Sequence, residues 1–213
     1  MGCELLNGKK VLGVLAHPDD EVIFGWPIFQ DRSIKRYLYC VCNDSERKGP
    51  GREKSLIDVC EKYEIQLMMV GDAPVEFYRL PTRFDPVTLK NVTCDITKRI
   101  AYVMDAVAPD FVFTHNPVGE YGNGDHRLLF NLVVSASNID SVLFTDHVEE
   151  NKSHVSSPEI PLKVRKAFYT DKIGVATLDL QFYMDCMKIY GLGWTWKKDL
   201  PDGRQRHADV YRF

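Results

Sequence analysis

The segment AHPDDE, residues 16–21, places one imidazole and three carboxyl groups directly after an apolar run. His17 offers a ring nitrogen to a metal ion, and Asp20, three positions later, can return a carboxylate oxygen to the same point. Asp19 projects differently, so one carboxylate can bind the metal while its neighbour hydrogen-bonds the metal-bound water. A structural interpretation also fits, because Pro18 presets a first helical turn whose dipole the acidic residues complement. That interpretation leaves His17 unused, and this segment alone does not decide between the two.

A second segment, FVFTHNPVGEYGNGDHRLLF at residues 111–130, supplies another candidate ligand. It passes from a predicted strand through a glycine-bearing loop into a helix that starts near His126. Together, His17, Asp20 and His126 offer two imidazoles and one carboxylate, and leave a fourth zinc position open to water. This number of ligands is typical of a catalytic zinc site, although iron, cobalt or nickel could use the same ligands. Asp125 either orients the neighbouring ligand or caps the helix.

An α/β scaffold is predicted to carry both segments. Apolar runs at 11–16, 36–44, 66–72, 110–116, 141–147 and 166–171 are typical of strands, and helical patterns cover 52–65, 94–108, 125–137 and 177–192. A further helix over 19–30 is disturbed by Gly25 and Pro27. This alternation predicts a Rossmann-like, mostly parallel sheet with helices on both faces, whose ligands bind beyond the carboxyl ends of the strands.

The composition of the chain indicates its domain number and argues against some classes of function. A chain of 213 residues with 45% hydrophobic content predicts a single domain over residues 1–213. The net charge of -3, without a long run of Lys and Arg, argues against nucleic-acid binding. Six cysteines without a CxxC pair, and an N-terminus without a secretory signal, predict a cytoplasmic protein. No apolar run reaches the roughly 20 residues that a membrane-spanning helix requires, so no transmembrane segment is expected.

The motifs AHPDDE and YGNGDH, in that order, resemble the LmbE-like or PIG-L family of zinc deacetylases. The resemblance covers roughly the first two-thirds of the chain and does not extend past about Val148. It implies a Rossmann-like fold in which His17, Asp20 and His126 bind zinc and Asp19 is the general base. It further implies that Tyr121 polarises the substrate carbonyl. Family members also contact substrate through an arginine at the start of a helix, for which Arg52 is the local candidate.

The chain departs from a common family pattern at Asn123, where many relatives carry a histidine two residues after the tyrosine. The zinc ligands are unaffected, but the acid that protonates the leaving amine is left open, and Asp19 could perform this second task. Asn123 is expected close to the open zinc position, where its amide could contact substrate. The alternative is that Asn123 supports the loop by adopting a left-handed backbone conformation.

Other residues that could belong to the site have structural roles that fit equally well or better. His115 ends a predicted strand, and we expect a loop-stabilising imidazole outside the zinc ligands. Glu21 and Glu120 could line a pocket or complement a helix terminus. The aromatic group Tyr190, Trp194 and Trp196 is more typical of a core plug than of a sugar-stacking surface.

These features predict a zinc-dependent N-deacetylase that removes an acyl group, acetyl by expectation, from a small-molecule amino-sugar conjugate. One alternative is a catalytically silent sugar- or nucleotide-binding module of the same fold, made conceivable by the missing histidine. Another is a metal-dependent phosphoesterase, which would favour two clustered metals and more ligands than the sequence offers.

Overall fold

The structure is a computed structural model that describes residues 4–43, 51–73, 86–120, 122–137, 139–147, 171–191 and 207–213. Within these ranges, seven strands form one sheet in the order β3-β2-β1-β4-β5-β7-β6. The strands are β1 (Lys10–Leu15), β2 (Lys35–Cys40), β3 (Gln66–Val70), β4 (Phe111–Phe113), β5 (Val142–His147), β6 (Asp171–Thr177) and β7 (His207–Arg212). β7 pairs antiparallel with both β5 and β6, and the other neighbouring strands pair in parallel. The predicted mostly parallel sheet is therefore confirmed.

Six α-helices are described in the same ranges, and two short 3-10 helices accompany them at Glu4–Leu6 and Ile139–Ser141. The α-helices are α1 (Asp20–Ile23), α2 (Trp26–Phe29), α3 (Gly51–Lys62), α4 (Pro86–Val107), α5 (Gly124–Ala136) and α6 (Leu180–Tyr190). None of these helices combines the length and the apolar character needed to cross a membrane.

The sequence predicted most of these elements, but it did not predict the extent of β6 or the presence of β7. The predicted helix over 19–30 is divided at Gly25 into α1 and α2, as its glycine and proline suggested. The strand predicted at 166–171 lies mostly outside the described residues, and the observed strand β6 starts at Asp171 and runs to Thr177. Strand β7 was not predicted, because HADVYR is short and carries charges that mask its alternation.

Two apolar clusters cover the two faces of the sheet. One cluster packs α1, α2, α3 and α6 against one face, and the other packs α4 and α5 against the opposite face. Within β1, Val11 and Leu15 belong to the first cluster, whereas Leu12 and Val14 belong to the second. Alternating side chains of a central strand thus serve both layers, which explains why its sequence is almost continuously apolar.

Gly13 allows the helices after β1 to pack closely on that strand. A Cβ atom at this position would lie 2.4 Å from Cζ of the fully buried Phe29 in α2. Because protein interiors are close-packed, the ring has little room to move. The absence of a side chain at Gly13 therefore helps to set the position of the turn between β1 and α2.

We expect Gly13→Ala to destabilise the protein by about 1–3 kcal/mol, the usual cost of overpacking a core. The free energy of unfolding measured in urea tests this expectation. Gly51→Ala is the matched control, because a Cβ at Gly51 meets nothing within 4 Å. Equal stabilities of the two variants would contradict the close packing of Phe29 on β1.

Candidate metal centre

The candidate site lies at the carboxyl ends of β1 and β4, which are neighbours in the sheet. β1 connects to β2 on one side, whereas β4 connects to β5 on the other, so the order of strands reverses between them. Such a switch point forms a crevice in which α/β proteins bind ligands. The chain leaves β1 into the turn that carries His17, and leaves β4 into the loop that carries His115.

Three ligand atoms converge in this crevice. His17 Nδ1 lies 3.3 Å from Asp20 Oδ2 and 3.3 Å from His126 Nε2, and His126 Nε2 lies 3.5 Å from the same carboxylate oxygen. Ligands of a tetrahedral zinc ion bonded at about 2.0–2.1 Å lie about 3.3–3.4 Å apart. All three residues are at least nine-tenths buried. The structure thus brings the predicted ligands together with spacing that fits one metal ion.

Each imidazole of this set is held through its other ring nitrogen. His17 Nε2 lies 3.0 Å from Asp125 Oδ2, and His126 Nδ1 lies 2.6 Å from Glu120 Oε2. A carboxylate accepting a proton from the distal nitrogen fixes the tautomer and leaves the opposite nitrogen for a metal. Asp125 therefore orients His17, and it is Glu120 that orients the adjacent ligand His126.

Electrostatics also favour a cation at this point. Burial alone would lower the pKa of His17, but its hydrogen bonds to Asp125 and Asp20 prevail and raise that pKa to about 10. Burial alone would raise the pKa of Asp20, yet His126 and His115 hold it well below its usual range. The carboxylates thus stabilise positive charge inside the cluster, whether it is carried by protons or by a metal ion.

His115 lies next to the three candidate ligands and contacts the backbone after β1. Its Nε2 accepts a hydrogen bond of 3.0 Å from the backbone N–H of Ala16, and its ring stacks on His126 with centroids 3.6 Å apart. His115, Glu120 and His126 are also close enough together to hold a metal. The 2.6 Å contact between Glu120 and His126 is, however, a hydrogen-bond distance and too short for two ligands of one ion. The first set is therefore the better candidate.

Asp19 and Asp20 face different partners although they are adjacent. Asp19 adopts φ 101, in the left-handed region that side chains rarely occupy. Its buried carboxylate forms an ion pair with Arg52 of α3, and the same guanidinium group contacts the Pro18 carbonyl oxygen. Arg52 therefore lies beside the site, as predicted, although its contact with substrate stays a prediction.

Asn123 caps helix α5. Its side-chain oxygen accepts hydrogen bonds from the backbone N–H groups of Asp125 at 2.9 Å and His126 at 3.4 Å. Its φ of -62 shows that the alternative of a left-handed loop position was wrong, although the residue does support the loop. Contact with substrate stays a prediction. Tyr121, the predicted carbonyl-polarising residue, lies outside the described residues.

Two further acidic residues of the site had only ambiguous sequence signals. Glu120 accepts from the Asn116 backbone N–H and bridges two histidine rings, a role its place in a glycine-bearing loop does not reveal. Glu21 is 1% exposed, and burial raises the pKa of its carboxyl group to about 8. Its partner Tyr190 is 169 positions away, so only the fold could show the contact.

Comparison with known proteins assigns the chain to a family. The model of the PIG-L family, described as GlcNAc-PI de-N-acetylase, matches residues 12–137, which include most of β1, both motifs and all three candidate ligands. The chain belongs to the PIG-L family. The matched region ends at α5, so strands β5 to β7 and helix α6 lie beyond it.

Individual relatives agree with this family. A probable N-acetylglucosaminyl-phosphatidylinositol de-N-acetylase of Schizosaccharomyces pombe is 26% identical over 133 residues, 59% of this chain. The chain spans about half the length of this relative, 50%. The crystal structure of a deacetylase–teicoplanin complex aligns with a TM-score of 0.60 and 14% identity, over 96% of this chain and 99% of that one.

The fold of this PIG-L family member is also shared by an enzyme with a different reaction. GalB, the 4-carboxy-2-hydroxymuconate hydratase of Pseudomonas putida KT2440, aligns with a TM-score of 0.53 and 16% identity, over 95% of each chain. Because both likenesses to solved structures show the fold alone, the reaction must be argued from the site.

We expect His17→Ala and His126→Ala to abolish binding of one divalent metal ion per chain. Asp125→Asn and Glu120→Gln should weaken it by about 10- to 100-fold, the usual effect of losing a carboxylate that orients a ligand. Elemental analysis and calorimetric titration measure both effects, with the exposed His207 changed to Ala as the control. Full occupancy in the His17 and His126 variants would place the metal elsewhere.

Metal binding should release a proton. The pKa of His17, about 10 in the metal-free protein, means that the ring is protonated near neutral pH, whereas a ligand imidazole must be neutral. The affinity should therefore rise with pH, by about tenfold per unit for one displaced proton. Calorimetry in buffers of different ionisation enthalpy counts the protons. An affinity unchanged between about pH 6 and about pH 8 would contradict a charged His17.

Removing the cap of α5 should destabilise the helix that carries His126. We expect Asn123→Ala to cost about 0.5–2 kcal/mol, whereas Asn123→Ser, which retains a capping oxygen, should cost much less. Thermal unfolding of the two variants makes the comparison. A serine variant as unstable as the alanine variant would show that the side-chain oxygen does not stabilise α5.

Proposed function

We propose that this protein is a metal-dependent N-deacetylase that hydrolyses the acetamido group of an amino-sugar conjugate. One observation carries the proposal: the candidate ligand atoms of His17, Asp20 and His126 converge at the switch point of the sheet, and the carboxylate of the adjacent Asp19 pairs with Arg52. The de-N-acetylase description of its family supports the same reaction. The proposed domain comprises residues 1–213.

His17, Asp20 and His126 are the proposed ligands. Two imidazoles and one carboxylate suit zinc, although the same donors accept iron, cobalt or nickel. When bound, such an ion polarises the amide carbonyl and lowers the pKa of a water molecule. Burial of all three ligands supports the proposal, because it excludes competing solvent and strengthens the local electrostatic field.

Asp19 is the proposed general base. Its carboxylate takes a proton from the attacking water as the new carbon–oxygen bond forms, and returns it to the nitrogen when the carbon–nitrogen bond breaks. The products are acetate and the free amine, so the chain needs no imidazole at position 123. Arg52 holds the Asp19 carboxylate from one side and is proposed to contact substrate.

Tyr121 and Asn123 complete the proposed substrate site. The family resemblance supports Tyr121 as the group that polarises the carbonyl. Asn123 can contact substrate through its amide N–H₂, since its oxygen is engaged at the start of α5. A raised KM in Asn123→Ser, with stability unchanged, would be the sign of that contact.

The substrate class rests on the names of relatives. The family and the Schizosaccharomyces pombe relative are described by N-acetylglucosamine linked to phosphatidylinositol, and a structural neighbour by teicoplanin. We propose N-acetylglucosamine carried by a larger group as the substrate. Location in the cytoplasm stays a prediction from the cysteine pattern.

A panel of N-acetylated amino sugars, free and linked to nucleotide, inositol or aglycone, tests the proposal. The metal-loaded protein should release acetate and amine in equal amounts from at least one of them. Binding without release would favour the silent sugar-binding module, and release of phosphate would favour a phosphoesterase. Either result would overturn the proposed deacetylase.

The two adjacent aspartates should fail in different ways. Asp19→Asn should retain the metal and lower kcat by at least about a hundredfold, because it removes the base. Asp20→Asn should lower metal affinity instead, because it removes a charged ligand. Metal content and kcat measured on the same preparations separate the effects. Equal metal loss in both variants would show that the two roles are wrongly divided.

A further inference from the structure

Two hydrogen bonds through Glu21 connect the Asp19 backbone to Tyr190 of helix α6. Glu21 Oε2 accepts a 3.0 Å hydrogen bond from the Asp19 backbone N–H. The other oxygen, Oε1, accepts a 2.7 Å hydrogen bond from the Tyr190 hydroxyl group. Glu21 therefore links the turn after β1 to the last turn of helix α6.

The hydrogen bond to Glu21 is made at a residue whose backbone conformation is unfavourable, Asp19. A non-glycine residue at φ 101 persists only when its surroundings impose that conformation. Asp19 has no side-chain hydrogen bond to the helix start, so it does not act as an ordinary N-cap of α1. The Glu21 carboxyl group instead engages the Asp19 backbone N–H, while Arg52 engages the side chain. The backbone and the carboxylate of Asp19 are thus held by different partners.

Helix α6 is a firm support for this contact because it is joined to α3 by several bonds. Tyr63 donates to Asp185 Oδ2 at 3.1 Å, and Lys62 forms an ion pair of 2.6 Å with the same carboxylate. Ser55 donates to the Ile189 carbonyl oxygen, one residue before Tyr190. The helix that carries Arg52 is thereby attached to the helix that carries Tyr190.

We propose that Glu21 and Tyr190 are positioning residues that hold Asp19 in the left-handed conformation in which its carboxylate pairs with Arg52. The inference rests on the proposed function, in which Asp19 is the general base. It gives α6, which lies outside the residues matched by the family model, a role in the chemistry. Tyr190, which was predicted to be part of an aromatic core plug, would act through its hydroxyl group.

Tyr190→Phe is the direct test, because it removes only that hydroxyl group. We expect kcat to fall about tenfold with KM and metal content unchanged, since a small displacement of a reacting group has effects of this size or larger. Tyr63→Phe is the matched control: it removes a hydroxyl group that contacts α6 at Asp185, and the ion pair of Lys62 with the same carboxylate still joins α3 to α6. Its kcat should stay within about twofold of wild type.

A double-mutant cycle with Asp19→Asn separates positioning from general damage. If Tyr190 acts through Asp19, adding Tyr190→Phe to Asp19→Asn should change the residual kcat by less than about twofold. Glu21→Gln should retain most activity, because its amide can still accept from the Asp19 N–H and donate to the Tyr190 oxygen. Glu21→Leu should show the full loss.

A readout without turnover completes the test. Hydrogen exchange at the Asp19 amide, followed by NMR, should be faster in Tyr190→Phe than in wild type or Tyr63→Phe. An equal fall in kcat in both Asp19 backgrounds, or unchanged exchange at this amide, would overturn the positioning role and leave the proposed function intact. A wild-type protein that deacetylates none of the panel would overturn the proposed function, and the exchange rates would still show whether Tyr190 holds the Asp19 backbone.

Discussion

Burial of carboxyl groups is the constraint on which this site depends. Among the described residues, five acidic side chains are buried in the turn and helix start after β1 and in the loop and helix start after β4: Asp19, Asp20, Glu21, Glu120 and Asp125. An isolated buried carboxylate is costly unless it is paired and hydrogen-bonded. The fold meets this requirement with specific partners for each group. Histidine rings engage Asp20, Glu120 and Asp125, a guanidinium group engages Asp19, and a phenol engages Glu21.

These pairings also assign the chemistry. The carboxylates that hold the distal nitrogens of His17 and His126 direct the opposite nitrogens toward Asp20, and so bring the proposed metal ligands together. At the neighbouring Asp19 the backbone adopts φ 101, and the carboxylate forms an ion pair with Arg52. In the proposed function, the same short segment provides a metal ligand at Asp20 and a general base at Asp19, because the two adjacent carboxylates have different partners.

The sequence predicted the parts of this arrangement that depend on short spacing. The apolar run of β1 with the histidine at its end, and the Asp125-His126 pair at the start of α5, were sufficient for the fold class and the candidate ligands. The pairing of His17 with Asp125 could not be predicted, because adjacency in sequence suggested His126 as the partner. The Glu21–Tyr190 contact and strand β7 depend on tertiary structure across long separations, which periodicity does not report.

Crystals grown with zinc test most directly whether one metal ion binds between His17, Asp20 and His126. An anomalous difference map collected at the zinc edge should show one peak, about 2.0–2.2 Å from His17 Nδ1, His126 Nε2 and an Asp20 carboxylate oxygen. A peak between His115 and Glu120, or no peak near these residues at saturating zinc, would contradict a metal site formed by His17, Asp20 and His126.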